Sequence, residues 1–406
     1  MLTIKFLTTL IPEEKYEEVC RKSIYNMQDA ANALQWNLYE GLCKNYYQNI
    51  EILNVLPIGS FPQYYKDAFI KKEKFNLGIN IGFCNIKLIR KQILSNQIYK
   101  SLLESFKNIN EGILFVYTAS AVFMEAVNNL KKKKPKIKVC VIIADLPEMN
   151  NLSSEKSIIQ KIYEKYLANK AYKNMKCIDY YVLLTKYMAD YLKIEKPFCV
   201  IEGIATKVEK FETKKDSKFE NQKVIMYTGT LHKKFGILNL IKAFQKIEKD
   251  NYKLIICGIG DSEKEIKKAS KLDNRIKFLG QLPRNEILKL QSKATVLVNP
   301  RQNNEEFTKY SFPSKTLEYL SSGIPVIAYK LDGIPDEYEK YLCYMKDDFI
   351  ETFTKKIIEI CELDYEKWKE IGDKGKEFVL TQKNSVVQTK KIVDLLERTN
   401  NKNIIY

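Results

Sequence analysis

Tyr310-Ser311-Phe312-Pro313-Ser314-Lys315-Thr316-Leu317-Glu318-Tyr319-Leu320-Ser321-Ser322-Gly323-Ile324-Pro325-Val326-Ile327-Ala328 reads as loop, helix, turn and strand. Pro313 has the fixed φ and missing N–H that suit a first helical turn. Leu317 and Leu320 give the helix an apolar side. Gly323 offers a left-handed stop, and Pro325 blocks continuation. Residues 325–329 then make a short buried strand.

The start of such a helix has N–H groups without partners and carries the positive end of the dipole. It is a ready-made anion site. Lys315 adds a full positive charge in the first turn, where the dipole favours a negative one. That conflict points to an external anion. Lys315 and Glu318 are three apart and share one helix face. A cation near phosphate and a carboxylate one turn deeper suit a nucleoside diphosphate, with phosphate on Lys315 and ribose hydroxyls on Glu318. Tyr310, Phe312 and Ser314, on the approach to the helix, complete the expected ligand side of this stretch. The plainer alternative is a solvated lysine and glutamate on an ordinary amphipathic helix.

Around this stretch, strands and helices alternate. Strands are expected at 224–227, 254–257, 275–279 and 295–299, with helices at 237–247, 263–271 and 285–293. Such alternation implies a parallel, doubly wound sheet. The N-terminal half repeats it, with strands at 4–10, 50–56, 113–118, 139–144 and 180–184 and helices at 27–47, 87–106, 120–130 and 157–176. Residues 203–222 are polar and charged and read as a linker. The expected organisation is a domain at 1–202, the linker, a second domain at 223–384, and a last segment at 385–406 whose helix crosses back to the first domain.

Loops at the carboxyl ends of strands are where open α/β sheets place ligands. Thr228-Gly229-Thr230-Leu231-His232-Lys233-Lys234-Phe235-Gly236 joins a strand to a helix, and its glycines let backbone approach phosphate. Cys257-Gly258-Ile259-Gly260-Asp261 is a second such turn. Arg301, just past a strand, suits a bidentate phosphate contact. Asp145 ends a strand of the first domain, where it is either a site carboxylate or a turn residue. Lys131 to Lys134, with Lys136 and Lys138, make a basic cluster that reads as a solvated turn ahead of a lipid or phosphate patch. In the helix at 157–176, Ile158, Ile162, Tyr166 and Ala171 recur at helical spacing among lysines. A core-packed helix with a lysine face is the first reading, and a basic interfacial helix the sharper one.

The chain of 406 residues is long enough for two domains with real cores. No apolar run approaches a membrane span. The start, with Lys5, Glu13 and Glu14, reads as a strand and not a signal peptide. Nine scattered cysteines without a Cys-x-x-Cys pair fit reduced thiols in a cytoplasm. The net charge of +17 favours anionic partners, and a single histidine leaves little room for histidine-based metal sites.

The quoted stretch resembles the second half of the donor-site motif of glycosyltransferase family 4, retaining transferases of GT-B fold. That motif runs Glu, seven residues, Glu, then a small-Gly-x-Pro-Val turn. Glu318 and Gly323-Ile324-Pro325-Val326 fit it. The Phe312-Pro313-Ser314-Lys315 form looks most like the branch that builds capsule, O-antigen and other surface polysaccharides. Tyr310 stands where the first Glu would, with Glu305 and Glu306 as the loop carboxylates that could replace it. In the family's Gly-Arg-Leu…Lys-Gly loop, Arg and Lys bind pyrophosphate. Here Thr230 and Phe235 hold those positions, which leaves Lys233 and Lys234 to reach the phosphates beside Gly229 and His232. The loop that commonly carries His-Asp has Ala144-Asp145, and Asn26-Met27-Gln28-Asp29 replaces paired glycines of the first domain. Gly258, Gly260 and Gly333 occupy family loops beside the nucleotide and the donor sugar.

The resemblance implies two doubly wound Rossmann-like domains with a cleft between them. It implies transfer from a UDP-, GDP- or dTDP-sugar to a lipid-linked or oligosaccharide acceptor, peripheral to the inner face of the cell membrane. Lys315, Lys234 and Asp145 are the expected catalytic residues. No metal and no cofactor are expected, because the nucleotide sugar is a substrate and helix starts and lysines can hold its diphosphate. A GT-B epimerase is the nearest alternative, and the missing first Glu and missing His count against it. A basic nucleic-acid-binding protein is the alternative of a different class, without a recognised motif to carry it.

Overall fold

A computed structural model describes residues 2–24, 29–46, 48–87, 89–147, 157–206 and 222–401. Most of the expected linker, the loop Asn26-Met27-Gln28, and Glu148 lie outside the described residues. The chain forms two compact units, Met1–Glu202 with Ser385–Tyr406, and Gly203–Asn384.

The first unit is built on an eight-stranded sheet in the order Phe198–Val200, Tyr180–Leu183, Ile137–Ile143, Gly112–Tyr117, Ile4–Thr8, Glu51–Asn54, Gly78–Asn80, Glu73–Phe75. All neighbours are parallel except the last pair. Gly112–Tyr117 and Ile4–Thr8 are buried throughout, as central parallel strands covered by helices on both faces must be. At the carboxyl ends, Thr8 Oγ1 donates to Asn54 Oδ1 at 2.8 Å and Asn54 Nδ2 to Asn80 Oδ1 at 2.7 Å. This polar rung ties three neighbouring strands. The helix Ser385–Asn401 packs on the helix Asp29–Tyr46. A Cβ at Gly41 would stand 2.2 Å from the Ser385 carbonyl oxygen, and Asn45 Nδ2 donates to Thr389 Oγ1 at 2.8 Å.

One expectation in this unit changes. In the helix Ile158–Met175, Ser157 caps the start through a reciprocal bond with Gln160. The residues that pack are Ala168, Ala171 and Met175, while Ile158, Ile162 and Tyr166 are exposed. Small residues on one side let this helix approach its neighbours, so the large apolar ones face outward. The basic cluster is largely solvated, as expected, with Lys132, Lys133, Lys136 and Lys138 exposed, but several of its ammonium groups are tied to their own unit. Lys131 Nζ bonds Asp179 and the Ile137 carbonyl, Lys134 Nζ the carbonyls of Lys107 and Ile109, and Lys136 Nζ Glu111. Lys131 to Lys133 close the helix Ala121–Lys133, where the dipole favours cations.

The second unit carries a six-stranded, wholly parallel sheet in the order Ile276–Gly280, Tyr252–Cys257, Lys223–Thr228, Val296–Asn299, Val326–Ala328, Cys343–Tyr344. The chain winds one way from Lys223–Thr228 and then the other from Val296–Asn299. The reversal lies between these two strands, and ligands bind outside the carboxyl ends at such a point. The helix of the quoted stretch is Lys315–Ser322, starting later than Pro313 suggested. Pro313 precedes the cap residue Ser314, and its carbonyl accepts from Thr316 N–H at 2.8 Å. Gly323 ends the helix at φ 78°. The fully buried Tyr319 fixes the helix to the sheet: its hydroxyl accepts from Thr228 N–H at 2.8 Å and donates to the Thr228 carbonyl at 2.9 Å.

Candidate active site at the carboxyl edge of the second sheet

Two strand ends come together first. Gly229 follows Lys223–Thr228 at φ 152°, and Gly258 follows Tyr252–Cys257 at φ 138°. A Cβ on Gly258 would lie 1.8 Å from the Gly229 carbonyl oxygen. Only glycine allows both this backbone conformation and this approach. Gly260 plays a related part, its α-carbon pressed against the Leu231 backbone. The loop beyond Gly229 is then ordered by the residues beside it. Tyr227 OH donates to the Thr230 carbonyl at 2.7 Å, and Asp261 accepts from Lys233 N–H at 2.9 Å and meets His232 Nδ1 at 3.1 Å. Burial would raise the Asp261 carboxyl, but these donors outweigh it and leave its pKa lowered.

Arg301 leaves the adjoining strand Val296–Asn299 and is buried. Its guanidinium lies 4.3 Å from the Phe307 ring centroid and 5.3 Å from that of Phe235. Nη2 donates to Ser311 Oγ at 2.8 Å, while Nε is buried and has no hydrogen-bond partner among the described residues. No carboxylate pairs with it among the described residues. Burial pushes its pKa down to about 10. A buried cation held by rings and a hydroxyl is short of negative charge. Lys234 Nζ lies 5.3 Å from the same Phe307 ring, so two cations converge there. Lys233 turns the other way and pairs with Glu265 at 2.7 Å.

The third group centres on Glu318. Its Oε1 accepts from Lys315 Nζ at 2.7 Å and Gln291 Nε2 at 2.8 Å, and its Oε2 lies 3.6 Å from Arg284 Nη1. Burial pushes this carboxyl up, but the Lys315 charge and these donors prevail, so its pKa is lowered. Glu318 thus supplies the negative charge that the first helical turn favours, and it locates the Lys315 ammonium at the helix start. Lys315 Cγ is 4.0 Å from the Cβ position of Gly229, so helix start and glycine turn adjoin. The side chain of Ser314 makes no capping bond. Gln291 Nε2 also donates to Thr228 Oγ1 at 2.9 Å.

The structure therefore gathers Gly229, Thr230, Gly258, Arg301, Lys234, Ser314, Lys315 and Glu318 along one edge of the second sheet. Tyr310 OH donates to Glu306 Oε1 at 3.4 Å, at the position eight before Glu318. Gly333 packs its loop on the carbonyls of Ser311 and Thr308. Phe312 is a correction: its ring is buried in the core, 5.4 Å from that of Tyr338, and offers no face to a ligand. Asp145 belongs to the first unit, where it is exposed after Ile137–Ile143, and surrounding protein pushes its pKa up. Gln291, Arg284, Tyr319 and Phe307 are site-forming residues that sequence reasoning missed. Tyr319 lies inside the quoted stretch, but nothing in its spacing announces the bond to Thr228.

Residues 208–378 match the model of the family described as glycosyl transferases group 1. An uncharacterised glycosyltransferase of Methanocaldococcus jannaschii is 25% identical over 268 residues, 60% of this chain and 65% of that protein's length. The sucrose-phosphate synthase of Thermosynechococcus elongatus superposes with a TM-score of 0.67 at 14% identity, over 98% of this chain and 100% of its own. A lipopolysaccharide outer core galactosyltransferase gives 0.60 at 14% identity, over 98% and 100%. The chain therefore has the GT-B fold of these structures, and within it residues 208–378 are similar to the glycosyl transferases group 1 family.

Proposed function

We propose that this protein is a retaining glycosyltransferase. It moves a sugar from a UDP-, GDP- or dTDP-sugar to a lipid-linked or oligosaccharide acceptor in surface polysaccharide biosynthesis, at the cytoplasmic face of a membrane. The observation that carries the reading is Arg301, a buried cation without a carboxylate partner among the described residues, at the reversal point of a parallel sheet. A diphosphate there would meet Arg301, Lys234, the Gly229 and Gly258 backbone, and the start of Lys315–Ser322. Phe235 stands where the resembled family has its pyrophosphate lysine, and Arg301 packs over that ring. Arg301 supplies the missing charge from the next strand.

Lys315, located by Glu318, faces the leaving diphosphate, where negative charge grows as the glycosidic bond breaks. Glu318 holds the ribose. The reaction is a front-face substitution in which the departing β-phosphate accepts the acceptor's proton, so no protein nucleophile is required. Lys234 adds positive charge at the phosphates, and Asp145 belongs to the acceptor side. A thermal-shift panel of UDP, GDP and dTDP tests the reading. One of them at 100 times its Kd stabilises the protein by about 2.7 kcal/mol. No response to any of the three contradicts it.

A further inference from the structure

We propose that the first half of the helix Ile158–Met175 docks on an anionic lipid bilayer. This deepens the reading above, because it rests on the acceptor being lipid-linked. Ile158 is 77% exposed, Ile159 79%, Ile162 64%, Tyr163 49% and Tyr166 59%. At 100° per residue these five positions fall on one side of the helix, opposite Ala168, Ala171 and Met175, which pack inward. Single exposed apolar residues are ordinary, but five on one face mark an interaction surface.

Charge decides the partner. The exposed Lys161 and Lys165 border the stripe, and Lys91 Nζ sits 4.6 Å from the Tyr163 ring centroid. Glu164, the one acid of this helix, lies towards the packed side. An apolar stripe with tyrosines and flanking lysines fits an acidic headgroup layer over acyl chains. Docking on a second copy would bring like charges together, which opposes association. The helix follows the strand Ile137–Ile143 and so starts at the carboxyl edge of its sheet, the edge that carries Asp145. A bilayer at this face presents a lipid-linked acceptor to that edge. The cluster at Lys131, Lys134 and Lys136 does not serve, because its ammonium groups bond carbonyls and carboxylates of their own unit.

The test is co-sedimentation of the full chain with phosphatidylglycerol-containing and pure phosphatidylcholine vesicles across a salt series. The wild type pellets with the anionic vesicles at low salt and is released as salt screens the lysines. The double variant Ile159→Asp, Ile162→Asp partitions at least about tenfold less, with an unchanged melting temperature because both side chains are exposed. Lys161→Gln with Lys165→Gln loses about fivefold per lysine and flattens the salt dependence. Three results overturn the proposal: a wild type that ignores anionic vesicles, an aspartate variant that binds as well as wild type, or a vesicle-free dimer that the aspartates dissolve. Nucleotide binding measured without vesicles separates this surface from the transferase reading, which can fail while the vesicle result stands.

Discussion

The Arg301 guanidinium rests 4.3 Å from the Phe307 ring centroid, inside a buried pocket of side chains that offers it Ser311 Oγ and no carboxylate among the described residues. Cation–π contact is worth about 2 kcal/mol when desolvated. The drop of this pKa to about 10 implies a cost on the order of 3 kcal/mol for keeping the charge at neutral pH. A bound anion would offset that burial.

Arg301→Met therefore has effects of opposite sign. The variant removes a buried charge and keeps the volume, so without ligand its melting temperature rises by a few degrees, measured by calorimetry. Nucleoside diphosphate binding weakens in the same protein. The folded-state pKa of Arg301 is depressed, so its penalty is present throughout neutral pH and eases only as pH rises through the folded value. A lower melting temperature would make Arg301 a structural residue.

Tyr319→Phe tests how the helix start is placed. It leaves the buried Thr228 N–H without its acceptor and removes the donor to the Thr228 carbonyl. The expected loss is about 1–3 kcal/mol in urea unfolding. Donor affinity falls with it, because Lys315 and Glu318 ride on the same helix.

Lys315→Ala and Glu318→Gln are expected to separate in steady-state kinetics. Loss of Lys315 removes charge where the transition state gains it and lowers kcat on the order of 100-fold. In the proposed complex Glu318 contacts a part of the donor whose charge does not change, so its loss is expected mainly to raise donor KM. Gln291 and Arg284 remain to hold Glu318 in Lys315→Ala. The lowered carboxyl pKa means that Glu318 is ionised at and above the ordinary carboxylate range. Its contribution is lost only as pH falls through the lower folded value. A Glu318→Gln enzyme with unchanged KM and kcat would move the ribose elsewhere.

Transfer is expected to survive chelation. The sequence has no Asp-x-Asp motif and one histidine, and the diphosphate can be held by Arg301, Lys234, Lys315 and backbone N–H groups. Complete loss of transfer in EDTA, restored by manganese, would show that these cations do not suffice.

Much of this architecture is legible in the sequence because strands of a parallel sheet are continuous apolar runs. The alternation 223–299 is visible for that reason, and so is the Gly323-Ile324-Pro325 stop. Glu73–Phe75, Gly78–Asn80 and Cys343–Tyr344 escape notice because strands of two or three residues have no period. The sequence reading also passes over Ile350–Cys361 and Tyr365–Gln382, although Asp364, which accepts from Lys367 N–H, is a cap that sequence alone displays. In the helix Ile158–Met175 spacing reveals an apolar side but not which side packs. That choice is made by Ala168 and Ala171, whose size suits close approach, with Met175 buried on the same side. Gly229, Gly258 and Arg301 are found from their places after strands. Gln291 and Arg284 are not, because their role arises only where one helix crosses another.

The central claim is that a nucleoside diphosphate binds at the carboxyl edge of the second sheet through Arg301. Isothermal titration of matched nucleoside mono- and diphosphates into wild type and Arg301→Gln tests it most directly. The wild type should bind the diphosphate of its preferred base more tightly than the monophosphate, and Arg301→Gln should erase most of that difference while binding the monophosphate as before. Equal diphosphate affinity in wild type and Arg301→Gln, or no diphosphate binding by wild type, would contradict the account.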